Sequence, residues 1–364
     1  MAFYGLFIGV DRYASRAINW LSCAKRDAVA LEALFSDTLG GATTLLVDGD
    51  ATRTRIETEF LCLSVCNSDD TVVISFSGHG SESHELITYD ADVRDLPRTA
   101  ISLDALITWF SRIPARRLIL FLDCCFSGGM GAKVLQVQAV SRRIESVEAR
   151  LAQMSGDGRL IMTASAAEEP AWENPRTGHG YFTHFLIEAL QGAEGVIEHG
   201  RLPVYRLLEF VTRRVIDAAR QFGHPQHPAL RGTIDGDLSW PVFIQGPRYA
   251  TAFPDRANAR ATADVSSLAA FGFPPAVISA WADAIPTLNA LQLDAINEFG
   301  VLSGEHLVVV APTSSGKTMI GELAALKAVI ERKRALFLMP LKALVADKHR
   351  HFQAVYGEFG VEFH

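Results

Sequence analysis

Three short stretches of this sequence hold side chains whose types and spacing can do chemistry. In Val72-Val73-Ile74-Ser75-Phe76-Ser77-Gly78-His79-Gly80-Ser81 a histidine stands between glycines after an apolar run. Glycine permits the tight turn and close approach that a working imidazole needs. In Leu118-Ile119-Leu120-Phe121-Leu122-Asp123-Cys124-Cys125-Phe126-Ser127-Gly128-Gly129 a second apolar run ends in paired cysteines and a glycine turn, with Cys125 lying 46 residues after His79. A thiol becomes a good nucleophile at neutral pH when a neighbouring imidazole takes its proton, so the two runs need only end side by side in space. Singly, each residue has an ordinary explanation, His79 as a satisfied loop histidine and the cysteines as small buried hydrophobes. Their joint position at two strand ends favours the catalytic reading. Successive side chains of a strand point to opposite faces, so Cys124 and Cys125 cannot both offer sulfur to His79. The third stretch, Ala311-Pro312-Thr313-Ser314-Ser315-Gly316-Lys317-Thr318, has the makings of a phosphate loop. Its backbone N–H groups can cradle phosphates, Lys317 can neutralise charge and Thr318 can hold magnesium.

Such residues require strands that end at one edge. Residues 3–10 form a short apolar run ending at Asp11, and Leu21, Ala24, Ala28, Leu31 and Leu34-Phe35 recur at helical spacing until Gly40-Gly41. The alternation continues with strands predicted at 43–47, 71–77, 117–123, 159–164 and 240–244, and helices at 54–66, 103–110, 182–191 and 204–219. Apolar strands in βαβα order imply an α/β fold, a mostly parallel sheet covered on both faces, with its site beyond the carboxyl ends of the strands. From Gly246 to about residue 264 the texture turns to Pro, Arg, Ala, Asp and Thr without a period, which reads as a linker between domains at 1–245 and 265–364. Beyond it, helices are predicted at 276–284 and 291–299, strands at 307–311 and 335–339, and a helix from the phosphate loop to Arg332.

Composition narrows the function classes. Thirty-four Lys+Arg against 41 Asp+Glu give a net charge of −7, so bulk charge does not hold this chain to nucleic acid. With 49% hydrophobic and 21% charged residues it is globular rather than disordered. No apolar run approaches the roughly 20 residues of a membrane helix, and no secretory leader opens the chain. Five cysteines, two of them adjacent, make no disulfide framework and fit a reducing, cytoplasmic location.

Ser77-Gly78-His79-Gly80 together with Asp123-Cys124-Cys125-Phe126-Ser127-Gly128 resembles the caspase and metacaspase family, whose bacterial members carry S-G-H-G and D-x-C-x-S-G at these strand ends. The resemblance spans about residues 1–245, including Leu6-Phe7-Ile8-Gly9-Val10-Asp11-Arg12-Tyr13, Gly178-His179-Gly180-Tyr181-Phe182-Thr183 and Pro225-Gln226-His227-Pro228-Ala229-Leu230. It implies a caspase-like α/β/α sandwich and a cysteine endopeptidase with Cys125 as nucleophile and His79 as base. The amides of Gly80 and Cys125 would form the oxyanion hole, and no cofactor or metal would be needed. Caspases resemble one another in reading aspartate with arginines, and metacaspases in reading Arg or Lys with acidic residues. Asp123 stands where metacaspases place an acidic pocket residue, which implies cleavage of a protein substrate after Arg or Lys. A structural role for Asp123, accepting backbone N–H groups at the strand end, is the alternative.

The phosphate loop, with Leu288-Asn289-Ala290-Leu291-Gln292 before it and Phe337-Leu338-Met339-Pro340-Leu341-Lys342-Ala343-Leu344 after it, resembles the first RecA-like lobe of superfamily-2 DExH-box helicases. Here Ala311 replaces the first glycine of the general pattern and Gln292 would resemble the adenine-reading glutamine. The resemblance implies ATP and magnesium at Thr313, Ser314, Ser315, Gly316, Lys317 and Thr318, and nucleic acid as a partner through the rest of such a module. No DExH segment follows and no second lobe supplies arginine fingers, so ATP hydrolysis is not expected of these residues, and the chain reads as the front of a longer polypeptide. A peptidase joined to a helicase resembles prokaryotic antiviral defence systems. The competing reading is a nucleic-acid-dependent ATPase whose caspase-like domain is a non-catalytic protein-binding scaffold.

Weaker signals have plainer readings. Asp48-x-Asp50-x-Thr52 with Glu59 echoes a calcium loop, but Arg53 replaces the turn glycine, leaving a strand-to-helix turn with Thr54 and Glu57 available for a capping box. His224-Pro225-Gln226-His227 reads as a structured loop, and Arg142, Arg143 and Arg150 as a solvated helix face.

Overall fold

The computed structural model describes residues 2–124, 134–135, 147–156, 158–166, 169–174, 177–221, 225–233, 238–253, 260–284, 287–303, 306–313, 315–330, 334–357 and 361. They fall into two units, Met1–Pro254 and Asp255–His364.

In the first unit the apolar runs become strands because burial on both faces suits them. Strands β1 (Phe3–Gly9), β2 (Ala42–Val47), β3 (Thr71–Ser77), β4 (Arg117–Asp123) and β5 (Arg159–Thr163) lie parallel in the order β2-β1-β3-β4-β5. A short β6 (Ala229–Arg231) runs antiparallel along β5. Alternation divides the side chains between two cores. Leu6, Ile74, Phe76, Leu120, Leu122 and Cys124 pack on one face with helices α2 (Arg53–Leu63), α3 (Leu103–Ser111) and α4 (Val147–Met154). Phe7, Val73, Ile119 and Phe121 pack on the other with α1 (Ala24–Leu39), α5 (Tyr181–Leu190) and α6 (Val204–Gln221). Helix α1 can approach the end of β1 closely because Gly9 lies beneath it. A Cβ there would come within 2.4 Å of the Ala24 carbonyl oxygen and 2.8 Å of the Ala28 Cβ.

Several expectations are corrected. Of the predicted strand at 240–244 only Trp240 is paired, as part of Ser239–Trp240 with Leu202–Pro203 away from the main sheet, whose last strand is β6 instead. Helix α2 is capped by Thr52, whose hydroxyl accepts from the Arg55 N–H at 3.3 Å, and not by Thr54, which lies inside the helix. The stretch read as a linker from residue 246 opens with helix α7 (Pro247–Ala252), which is tied to α1: the Arg248 and Tyr249 N–H groups donate to Asp37 at 3.1 and 2.9 Å.

The second unit gathers α8 (Pro275–Ala284), α9 (Ala290–Asn297), α10 (Lys317–Ile330) and α11 (Lys342–Tyr356) around Leu268, Phe273, Trp281, Leu323 and Tyr356. The strands predicted at 307–311 and 335–339 do not form. An extended run becomes a strand only when a neighbour supplies the other half of its ladder, and among the described residues neither run has one. Val308 and Val310 are 88% and 93% exposed. No helix among the described residues is long and apolar enough to cross a membrane.

Candidate active site

Parallel pairing of β3 with β4 sets Ser77 opposite Asp123, so the chains leave the sheet level with one another, His79 two residues beyond one strand and Cys125 two beyond the other. Cys125 itself lies outside the described residues. Cys124 is buried in the core against the α2–α4 face, the fate that alternation assigns to one of the two sulfurs. His79 is held from several directions and is 3% exposed. Its N–H donates to the Tyr13 hydroxyl at 2.9 Å, its carbonyl accepts from Ile87 N–H at 2.9 Å, and the Tyr13 ring packs beside it at 5.3 Å. Ring atom Nε2 lies 2.8 Å from the carbonyl oxygen of Asn19. A carbonyl only accepts, so Nε2 carries the hydrogen and a neutral ring has its lone pair on Nδ1, the form a general base requires. Gly80, the other expected oxyanion donor, lies with Ser81 in a small sheet between Glu85–Leu86 and Val134–Leu135.

On the α1/α5 face, buried polar groups converge at these strand ends. Thr183 of α5 donates its hydroxyl to Asp123 Oδ2 at 2.9 Å, and Ser77 donates to Asp27 Oδ2 of α1 at 3.1 Å. His179 Nδ1 stands 2.8 Å from Asp27 Oδ1, and the Gly180 N–H reaches both Asp27 oxygens at 3.3 Å. Sequence reasoning named Asp123 but assigned no role to Asp27, Ser77, His179 or the Asn19 carbonyl. One signal was available: Asp27 sits four and seven residues before Leu31 and Leu34, an acid on the buried stripe of α1. The other features stay local. Among the described residues no group of three or more His, Cys, Asp and Glu could hold a metal. Asp48 accepts from the Asp11 and Arg12 N–H groups, His227 pairs with Glu169 at 2.7 Å, and Arg150 pairs with Asp104 at 2.9 Å.

The segment that presents Asn19 is anchored by acids at the start of α1. Asp11 accepts from Ala24 N–H at 2.7 Å, and Glu173 accepts from Cys23 N–H at 2.7 Å. Burial, followed by the charges of Glu173, Asp48 and Asp27, raises the Asp11 carboxyl from 3.8 to about 7, opposed by the hydrogen bond from the backbone. The folded chain thus keeps this proton up to about pH 7 while an unfolded chain releases it near 3.8. Across that window rising pH favours unfolding through Asp11, by about 1.4 kcal/mol per pH unit. Asp11→Asn keeps the acceptor and removes the charge, so its melting temperature should gain on the parent's as pH rises from 5 to 8. Parallel curves would show that Asp11 does not titrate there.

In the second unit the loop before α10 is closed on itself. Lys317 Nζ donates to the Ala311 and Pro312 carbonyls at 2.6 and 2.5 Å and lies 3.3 Å from the Ser315 hydroxyl. Gln292 and Asn289 form a capping box on α9 and also hold the loop: Gln292 Nε2 donates to the Gly316 carbonyl at 3.3 Å and Asn289 Nδ2 to that of Ser315 at 3.0 Å. Gly316 has φ +87°, and a Cβ there would come within 2.6 Å of the Gln292 amide, so both conformation and space demand glycine. Gln292 is buried and spends its carboxamide within the protein, on the Asn289 N–H and Gly316, beside a cavity of about 530 Å³ also lined by Thr318, Glu322, Lys348 and His351. Thr313 and Thr318 are exposed, and Ser314 lies outside the described residues.

Comparison with known proteins places each unit. Residues 289–364 match the DEAD/DEAH box helicase family. Among curated relatives, the ATP-dependent DNA helicase Hel308 of Methanocella arvoryzae is 43% identical over 68 residues, 19% of this chain and 9% of that protein. The Pyrococcus abyssi helicase of the same name is 51% identical over 70 residues, 19% of this chain and 10% of its own. DNA polymerase theta of Mus musculus is 36% identical over 97 residues, 26% of this chain and 4% of its own. The chain thus spans a tenth or less of the length of these three relatives. Among solved structures, caspase-1 of Spodoptera frugiperda aligns with a TM-score of 0.47 at 18% identity, over 65% of this chain and 88% of that one. The caspase-domain model matches residues 4–238, well over half of the sequence, and the chain therefore belongs to the caspase-domain family, with a helicase-like segment following that domain.

Proposed function

We propose that this protein is a cysteine endopeptidase that cleaves after arginine or lysine, with the helicase-like segment as its regulatory module. The observation that carries the reading is the setting of His79: the Asn19 carbonyl holds Nε2–H at 2.8 Å, leaving Nδ1 as the base at the end of β3, beside the strand that leads to Cys125. His79 Nδ1 takes the proton from Cys125 Sγ, and the thiolate attacks the scissile carbonyl. The Gly80 and Cys125 amides receive the oxyanion. His79 then returns its proton to the leaving amine, and water, deprotonated by the same imidazole, hydrolyses the thioester. Asp123 and Asp27, buried near the strand ends, supply negative charge for a cationic side chain before the scissile bond.

In the helicase-like segment, the amides of residues 315–317 with Lys317 would hold nucleotide phosphates and Thr318 a magnesium ion, once phosphate draws the ammonium from the Ala311 and Pro312 carbonyls. Nucleic acid is the partner this segment suggests, and a role in prokaryotic defence follows from the domain pairing.

A thiol-reactive peptide with arginine at its reactive end tests the reading. Covalent labelling mapped to Cys125 is the expected result. Absence of labelling, with or without nucleotide and nucleic acid, would leave the caspase domain as a binding scaffold.

A further inference from the structure

The last described stretch of the first unit reaches back to the substrate pocket proposed above. Helix α7 is fixed to α1 by Asp37, and the chain then turns at Phe253, whose N–H donates to the Tyr249 carbonyl at 2.8 Å. The Phe253 ring lies 4.6 Å beneath the guanidinium of Arg26, 4.8 Å from the Tyr249 ring and 6.4 Å from the imidazole of His179. Arg26 in turn donates Nε–H to His179 Nε2 at 3.4 Å. A guanidinium in a protein only donates, so Nε2 bears the lone pair and the hydrogen of a neutral ring sits on Nδ1, facing Asp27 Oδ1 at 2.8 Å. One oriented series therefore runs from aromatic ring to guanidinium, imidazole and buried carboxylate. Its far end is the Asp27 group that also receives the Ser77 hydroxyl.

We infer that residues 247–253 are a strap that sets the substrate pocket: Phe253 holds Arg26 against His179, His179 aims the Asp27 carboxylate, and the strap's attachment to α1 governs affinity for a basic substrate side chain. The inference rests on the proposed cleavage after Arg or Lys. In sequence the strap lies immediately before the second unit, which begins at Asp255. Phe253, Arg26 and His179 are positioning residues, which act on the pocket through Asp27.

The test uses the full chain with an Arg-terminated fluorogenic peptide. Phe253→Ala should raise KM about tenfold and leave kcat within about twofold, because the nucleophile and base are untouched. Phe253→Trp should restore KM, since indole offers a guanidinium an equal or better face. Asp37→Asn, which loosens the far end of the strap, should raise KM likewise. Nitrogen-15 NMR of the His179 ring supplies a readout that needs no substrate: hydrogen on Nδ1 in the parent, and a mixture of the two tautomers in Phe253→Ala. A parent that cleaves the peptide while Phe253→Ala keeps both its KM and its tautomer overturns the strap. A parent that cleaves nothing, but whose His179 tautomer changes with Phe253, sinks the peptidase reading and leaves the mechanical link standing.

Discussion

Cys125→Ala should abolish peptide cleavage, a loss on the order of 10⁴-fold or more, because no other group at the strand end can form the thioester. Cys124→Ala should keep kcat/KM within about twofold. The asymmetry comes from alternation: Cys124 is packed with Leu122 and Ile74 in the core of the α2–α4 face, so its sulfur is already committed. Its removal costs packing, roughly 1 kcal/mol for a buried atom of that size. In a unit of this length that corresponds to a melting temperature about 2–4 °C lower. Steady-state kinetics of both variants, with thermal melts to show that each is folded, decide the matter. Lost cleavage in a folded Cys124→Ala protein, with cleavage retained in Cys125→Ala, would exchange the two roles.

The second large effect concerns specificity. Peptides with arginine before the scissile bond should be cleaved, those with lysine less well, and those with aspartate not at all. Asp123→Asn should reduce kcat/KM for the arginine peptide about 100-fold. Two buried carboxylates, Asp123 tied to Thr183 and Asp27 tied to Ser77 and His179, lie where β3 and β4 end. Carboxylates held at an interior site attract a guanidinium through paired hydrogen bonds. They repel an anion by several kcal/mol. Of the two arginines near this region in sequence, Arg12 is exposed and stacks 4.5 Å over the Trp20 ring, and Arg26, next to Asp27, is turned to His179 and the Phe253 ring. Profiling with a positional peptide library gives the answer directly: a preference for aspartate would overturn the pocket, and an Asp123→Asn enzyme with unchanged preference would transfer the role to Asp27.

Much of the first unit was legible in the sequence because its central strands are buried on both sides. Leu118–Leu122 has no polar interruption and Val72–Phe76 only the small Ser75, so neither is confused with a surface helix. The place of His79 just beyond a strand end was legible from its flanking glycines. Asp27 was easily passed over because Lys25-Arg26-Asp27 looks like ordinary solvated helix surface, although its spacing to Leu31 and Leu34 puts it on the stripe of α1 that packs against β1 and β3. Pairing also escaped local reading. Leu307–Ala311 has the residues of a strand, yet the ladder depends on a distant partner that no local pattern specifies. Conversely, Ala229–Arg231 is too short to stand out and joins the sheet because β5 offers an edge. The texture after Gly246 concealed α7, whose anchor, Asp37, lies more than 200 residues earlier.

The grip of Asn19 on His79 has a genetic consequence. The group that orients the imidazole belongs to the main chain, and every one of the twenty amino acids has that oxygen. Under the proposed mechanism a saturating substitution screen would register positions 79 and 125, with 123 behind them, and pass over a participant held through the main chain. Position 19 would tolerate nearly any side chain, while a one-residue deletion or insertion between Asp11 and Cys23 would move the oxygen out of reach and abolish the proposed cleavage. The heritable unit at that corner is the length and path of a loop, held by the carboxyl groups of Asp11 and Glu173, and not the identity of the residue at position 19.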